Sequence, residues 1–317
     1  MTKIAVVSDV HLKLRKHVEF ERNRFQLLIQ HLEESDADVI IFNGDLFDYA
    51  RPTLEEIQLV TQAMWALSDK QIHITAGNHE AVSKWLCTYD FLRLPNVITQ
   101  SSKSKVIGFD DVCIQLCHWE VLSRLVELDP MDILITHYRS AMKGLYDEEV
   151  DTSKFINNYK LVLLGDIHSR YSPNPHVFYT GSPYSISNIR DTREQFGYIE
   201  LTTDKGEHSW KYKDLKLPQK IRVDLAFKEV KDFKPKPEHL YTLYVKGTLQ
   251  ELSTLNSTKN VIYKKLVELK SVVKSTTEPT DKPFIDTLVD KVVPQIKGTP
   301  TQKRNTKNII VQLQGDT

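Results

Sequence analysis

Residues 39–48 read Val-Ile-Ile-Phe-Asn-Gly-Asp-Leu-Phe-Asp. An apolar run breaks at once into a turn that carries two carboxylates, Asp45 and Asp48. A continuous apolar run, as opposed to an alternating one, suits a strand covered on both faces, as in a parallel sheet. The same arrangement recurs along the chain. Residues 4–7 lead into Ser8-Asp9-Val10-His11, residues 133–135 into Thr136-His137-Tyr138, and residues 161–164 into Gly165-Asp166-Ile167-His168. The half-alternating Ile72-His73-Ile74-Thr75 precedes Gly77-Asn78-His79-Glu80. Open α/β sheets gather ligands beyond the carboxyl ends of their strands, so these five blocks are expected to converge on one edge.

Each block supplies different donors. Alternate residues of an extended segment share a side, so Asp9 and His11 can face one ion, and so can Asp166 and His168. Asp45 has two oxygens and is the natural bridge between two ions; Asn78 offers an amide oxygen and His137 an imidazole. Mixed oxygen and nitrogen donors suit manganese, iron, zinc or magnesium and disfavour metals that seek thiolates. Two ions roughly 3.5–4 Å apart clamp a phosphoryl group, neutralise its oxygens and activate water. Any single block has a plain structural reading, since Gly-Asp-x-x-Asp can be no more than a capped turn. Five in order, nearly all at strand ends, do not share that explanation.

The ordered set D-x-H, G-D-x-x-D, G-N-H-[D/E], a lone His and G-x-x-H resembles the calcineurin-like metallophosphoesterases over about residues 1–205. The resemblance implies an α/β fold, a four-layer α/β/β/α metallophosphoesterase sandwich. It implies one metal held by Asp9, His11, Asp45 and His168, and another by Asp45, Asn78, His137 and Asp166. His79 is implied as the catalytic group that stabilises or protonates the leaving oxygen, with Asp48 orienting it. One position departs from the pattern: the family's last block is G-H-x-H, and Asp166 stands where its first His would be. A carboxylate is a competent but harder ligand, so the expected cofactors are two divalent ions, Mn2+ first and Mg2+ next. The plainer alternative is that Asp166 only caps a turn.

Further residues narrow the resemblance. The protein-phosphatase branch carries an Arg after G-D-x-x-D, and here that position is Tyr49, which argues against a dedicated phosphatase. Residues 179–184, Tyr-Thr-Gly-Ser-Pro-Tyr, and 196–201, Phe-Gly-Tyr-Ile-Glu-Leu, resemble segments of SbcD-type repair nucleases, and Leu-Gly-Asp-Ile-His at 164–168 is similar to phage-like members. This resemblance implies a metal-dependent DNA exonuclease or endonuclease. It would be the nuclease subunit beside an SMC-type (SbcC-like) ATPase in DNA repair, recombination or phage DNA processing. A small-nucleotide phosphodiesterase or phosphatase is the alternative enzyme. A non-catalytic scaffold of the same fold is the alternative without chemistry, and for that His79 would normally be lost. A homodimer stays open.

Charge supports a polyanionic partner. The chain is formally neutral, with 42 basic and 42 acidic residues, but divided after Trp210 it carries 21 basic against 30 acidic residues and then 21 against 12. The second part, at +9, could grip phosphates with salt-dependent affinity. Lys13, Arg15 and Lys16, just past the first block, and Arg170, after the last, are candidate DNA contacts.

A chain of 317 residues with 40% hydrophobic content accommodates an α/β domain of about 200 residues and a smaller module. The expected division is residues 1–215 for the nuclease domain and 216–280 for a small α+β DNA-binding capping domain. Residues 281–317 would form a C-terminal helix and polar tail; the apolar spacing of 284–296 suits a segment for the ATPase partner or for the chain's own cap. Residues 21–34 have helical periodicity, and Thr53 with Glu56 forms a capping-box pattern. Residues 96–99, 105–107, 112–117, 132–136, 176–180, 198–201 and 207–212 are expected in a second sheet, and 260–273 suits strand or helix. Cys87, Cys113 and Cys117 fit reduced thiols of a cytoplasmic protein, in the host cytoplasm if phage-encoded. No apolar run approaches the ~20 residues of a membrane span, and the chain enters a strand with no room for a signal peptide. His118 could edge the cleft and Trp85 could stack on a base, though packing explains both.

Overall fold

The computed structural model describes residues 1–83, 86–87, 92–100, 104–117, 131–138, 159–190 and 194–267. The expected C-terminal helix and tail, His118 and Trp85 lie outside the described residues.

The chain begins β1 (Thr2–Val7), α1 (Val18–Glu33), β2 (Val39–Asn43), α2 (Leu54–Ala66) and β3 (Gln71–Thr75), then a small ladder of β4 (Ala81–Ser83) and β5 (Leu86–Cys87). It continues through β6 (Val97–Gln100), β7 (Lys105–Phe109), β8 (Val112–Cys117), β9 (Met131–His137), β10 (Tyr159–Gly165), β11 (Tyr171–Asn174) and β12 (Val177–Tyr179). β13 (Gly197–Asp204), β14 (Glu207–Asp214), β15 (Lys220–Ala226), β16 (Leu240–Gly247), α3 (Leu249–Ser253) and β17 (Val261–Val267) follow.

Two six-stranded sheets form the body, ordered β14-β13-β1-β2-β3-β6 and β11-β12-β10-β9-β8-β7. Alternation along single strands shows how they stack. Ile4, Val6, Val39 and Ile41 of the first sheet pack with Ile114, Ile133, Ile135, Leu161 and Leu163 of the second. Their neighbours Ala5, Val7, Ile40 and Phe42 face the other way, onto Phe25, Leu28 and Leu32 of α1 and Leu59, Val60 and Ala63 of α2. Phe25, Leu28 and Leu32 are fully buried, which stabilises the fold by about 1.5–3 kcal/mol each. The outer face of the second sheet carries its own cluster around Leu134, Val162, Leu164 and Tyr179. The fold is therefore the α/β sandwich expected, with one allotment corrected. Residues 97–100, 197–204 and 207–214 belong to the first sheet, not the second: β6 pairs with β3, and β13 runs antiparallel to β1 with Ile4 opposite Leu201. Strand periodicity marks faces but not partners, so the sequence pattern could not separate the two sheets.

The capping box on α2 is present. Thr53 accepts the Glu56 N–H at 3.2 Å, and Glu56 accepts the Thr53 N–H at 2.6 Å. Glu56 is also buried and accepts the Leu14 N–H at 2.7 Å, which ties the loop after β1 to the start of α2.

Past residue 219 a separate three-stranded parallel sheet, β15-β16-β17, builds its own core from Ile221, Tyr241, Leu243, Val245, Leu252 and Val261. The stretch legible as strand or helix is strand over Val261–Val267. Among the described residues no helix is long and apolar enough to cross a membrane.

His73 is an exception inside the sandwich. It is fully buried on β3, and neither ring nitrogen has a hydrogen-bond partner. Burial depresses it from 6.5 to about 4. The unfolded chain therefore takes up the proton first as pH falls. Stability is complete above about pH 6.5 and declines by about 1.4 kcal/mol per unit between there and the folded value. Urea melts at pH 7 and 5 should show the wild type losing about 2 kcal/mol more than His73→Leu. An equal loss in both would remove His73 as the cause.

Candidate metal centre

The centre is assembled by loops that zip together beyond the strand ends. The Asp9 N–H donates to the Gly44 carbonyl at 3.1 Å, His11 to Asp45 at 2.8 Å, and Leu12 to Leu46 at 2.8 Å. The loop after β1 thus continues the pairing of β1 with β2, and Asp9, His11 and Asp45 are carried into one space. Asp9, His11, Asp45 and Asp166 all adopt positive φ, between 48° and 79°. Such backbone is uncommon outside glycine and gathers at functional sites.

Donor atoms converge in three overlapping groups: Asp9 with His11 and His168, His11 with Asp45 and His79, and Asp9 with Asp45 and His137. Within each group they lie no more than 4.8 Å apart. His137 Nε2 stands 3.3 Å from Asp45 Oδ2 and 3.9 Å from Asp9 Oδ1, and His11 Nε2 stands 3.4 Å from Asp45 Oδ2. Neither Nε2 makes a hydrogen bond, although both are buried. The other nitrogen of each ring is held, His137 Nδ1 by the Asn43 carbonyl at 2.9 Å and His11 Nδ1 by Asp48 Oδ1 at 3.2 Å. Both partners only accept, so each Nδ1 carries a proton and each Nε2 presents a lone pair to carboxylates. Lone pairs facing carboxylates in a buried space need a cation between them.

Protonation can partly fill that need, and the electrostatics register it. Burial pushes Asp9 up to about 8, against the charge of His137 and with that of Asp45. Burial also pushes Asp45 up, but His137, His11 and His79 overrule it and hold the carboxyl well below the usual range. His137 is raised well above 6.5, because Asp45 and Asp9 outweigh its desolvation. His168 falls to about 4 through burial and the charge of His11, which leaves a neutral imidazole, the form that binds metals, 3.8 Å from Asp9 Oδ1. The residues present fit divalent cations.

Two glycines make room for His137. A Cβ on Gly44 would lie 2.3 Å from its ring, and one on Gly165 would lie 2.4 Å from its Nδ1.

His79 lies at the mouth, 40% exposed, with Nε2 3.9 Å from Asp45 Oδ2 and its own N–H bonded to Asp45 Oδ1 at 3.0 Å. Asp48 holds it through its main chain. The Asp48 main-chain carbonyl accepts from His79 Nδ1 at 2.9 Å, while the carboxylate turns to His11 and to Lys13 Nζ at 2.6 Å. Burial opposes ionisation of Asp48, yet hydrogen bonds from His11 and Lys13 draw it down to about 2.

Asn78 heads the turn Asn78–Glu80 and is exposed, one residue before the N–H that binds Asp45. Asp166 enters through its main chain: its N–H donates to both Asp9 oxygens, at 3.1 and 3.3 Å.

The four basic candidates divide evenly. Arg15 and Lys16 are exposed, and Arg15 stacks on the Tyr49 ring at 4.1 Å. Lys13 is engaged by Asp48. Arg170 is engaged within the protein: it is 12% exposed, paired with Asp214, stacked on Tyr212 at 4.6 Å and bonded to the Lys213 carbonyl at 3.3 Å.

The family profile described as Calcineurin-like phosphoesterase matches residues 2–170. The chain belongs to this family. As a calcineurin-like phosphoesterase it is a hydrolase of ester bonds. It is 28% identical over 270 residues to the probable exonuclease subunit 1 of Escherichia phage T5, covering 80% of this chain and 81% of that one. It is 36% identical over 85 residues to the DNA double-strand break repair protein Mre11 of Methanopyrus kandleri, covering 25% of this chain and 19% of the relative. Against Mre11 of Nanoarchaeum equitans the identity is 22% over 319 residues, covering 87% and 86%.

In this phosphoesterase three supporting residues escaped the sequence reading. Glu80 is fully buried and accepts the N–H groups of Asp45, Gly77 and Phe47 at 3.0, 2.8 and 2.8 Å. Asn43 spans the sheets: its carbonyl holds His137 and its side-chain amide donates to the Thr136 carbonyl at 3.0 Å. Ser182 donates from its N–H and hydroxyl to the His168 carbonyl, at 2.9 and 3.2 Å. Glu80 left a signal, an acid directly after Asn-His at a strand end, and Ser182 lies in the Gly-Ser-Pro segment already singled out; Asn43 left none.

Proposed function

We propose that the protein is a metal-dependent DNA nuclease that hydrolyses phosphodiesters at a centre for two divalent ions, Mn2+ foremost. The observation that carries this reading is the pair of buried imidazole Nε2 atoms, on His11 and His137, that lack hydrogen-bond partners and are turned onto Asp9 and Asp45 beside a half-exposed His79. When bound, divalent ions neutralise charge on the phosphate oxygens and lower the pKa of water. Asp9, His11, Asp45 and His168 would hold one ion, and Asp45, Asn78, His137 and Asp166 the other. His79 would turn Nε2 toward the leaving oxygen, to stabilise or protonate it, and its Nδ1 is anchored on the Asp48 carbonyl so that the ring cannot turn away.

DNA is favoured as substrate by the names of the T5 and Mre11 relatives and by the basic balance beyond Trp210. The T5 relative is named a subunit, which supports work beside a second protein; we take that partner to be an SMC-type ATPase, with both acting in the cytoplasm. The test is cleavage of linear duplex and single-stranded DNA in manganese, with and without a candidate ATPase, against turnover of a chromogenic diester. DNA cleavage that the ATPase stimulates is expected. Hydrolysis of the diester with intact DNA would overturn the reading and favour a small-nucleotide phosphodiesterase.

We take Arg15 and Lys16, both exposed just past the first block, as contacts for a phosphate backbone. Replacing both with alanine should weaken binding to all DNA sequences alike and reduce the salt slope by about 1 per lost contact. An unchanged slope would move the contact surface elsewhere.

A further inference from the structure

The two oxygens of the Asp48 carboxylate serve different partners. Oδ1 lies 3.2 Å from His11 Nδ1, and Oδ2 lies 2.6 Å from Lys13 Nζ. Asp48 is 15% exposed and Lys13 32%, so this pair is partly withdrawn from water beside the centre. The ammonium also lies over the Tyr49 ring, 4.5 Å from its centroid. The main chain of Asp48 is fixed as well, its N–H on the Leu12 carbonyl at 3.1 Å and its carbonyl on His79. What remains to be set is the rotation of the carboxylate plane, a soft torsion with no strong intrinsic preference.

We propose that Lys13 is a positioning residue for the hydrolysis, acting through Asp48 on His11. This rests on the metal reading of the centre. By binding Oδ2, Lys13 turns Oδ1 onto the His11 Nδ1–H, which fixes the ring and keeps the Nε2 lone pair aimed between Asp9 and Asp45. Without the ammonium, Asp48 would hold an uncompensated charge in a half-buried place and would swing toward solvent. His11 would then lose the partner that orients it. Partners of metal-binding imidazoles characteristically change metal affinity by about 10–100-fold when removed. A lysine that only gripped a substrate phosphate would leave metal affinity untouched and change KM alone.

The experiment is a calorimetric Mn2+ titration of the full-length protein without substrate. It compares wild type, Lys13→Met, Lys13→Arg, Asp48→Ala and the Lys13→Met/Asp48→Ala double variant, each checked for folding by thermal melting. Lys13→Met and Asp48→Ala should each weaken manganese binding by about 10–100-fold. The double variant should be no weaker than Asp48→Ala, because both changes break one chain of contacts. Lys13→Arg, which can still reach the carboxylate, should bind nearly as wild type. Wild-type affinity in Lys13→Met, or losses that add in the double variant, would overturn the proposal. Failure of the wild type to bind manganese would instead bring down the metal reading, and this inference with it.

Discussion

His79→Ala is expected to cleave DNA about 10²–10⁴-fold more slowly than wild type while its manganese titration stays unchanged, the range for a lost acid–base group. The ring sits at the mouth of the centre and not in its floor. His11 and His137 are almost wholly buried with bare Nε2 atoms, whereas His79 is 40% exposed and its nearest carboxylate approach is 3.9 Å. It packs edge-on against His11, with ring centroids 4.6 Å apart, so its removal leaves a gap beside a donor without removing the donor. The main-chain bond from His79 to Asp45 survives the substitution, so the carboxylate shared by both ions keeps that support. A kcat loss with intact metal stoichiometry is therefore the signature. A variant cleaving like wild type would strip His79 of its role, and loss of an ion would make it a ligand.

The strand ends were legible because parallel strands buried on both faces must read as unbroken apolar runs, and the runs at residues 4–7, 39–42, 133–135 and 161–164 all became strands. The donors that follow them were legible for the same reason: a strand end is one point in space, and the ends of β1, β2 and β3 lie side by side in one sheet, as those of β9 and β10 do in the other. Partnership between distant strands was not. Residues 198–201 alternate in the same way whether they lie beside β1 or in the second sheet, and their placement depends on a register 193 or more positions away in the chain. Direction was equally hidden. Asp48 meets His79 with its carbonyl and His11 with its carboxylate, a choice made where a parallel β-bridge pairs Leu12 with Phe47. Arg170 had the composition of a substrate contact, but Asp214 and Tyr212, more than 40 residues on, enclose it.

Glu80 carries the second large effect, which falls first on stability. Its two oxygens accept three main-chain N–H groups, those of Asp45, Gly77 and Phe47, and all of these residues are buried. The contacts cross between the turn after β2 and the turn after β3, so this one side chain sets how closely Asp45 approaches Asn78 and His79. Glu80→Ala leaves three donors unpaired at about 1–3 kcal/mol each, a total on the order of 5 kcal/mol, comparable with the whole stability of many domains. Glu80→Gln keeps the shape and one good acceptor but places an amide NH₂ against at least one N–H, so its loss should be intermediate. Thermal melts should fall by roughly 10–20 °C for the alanine variant and by less for glutamine. Manganese should raise the melting point of the wild type far more than that of Glu80→Ala, because a loosened Asp45 no longer offers both oxygens at fixed positions. An alanine variant that melts within about 2 °C of wild type would mean that water satisfies the three donors as well as the carboxylate does.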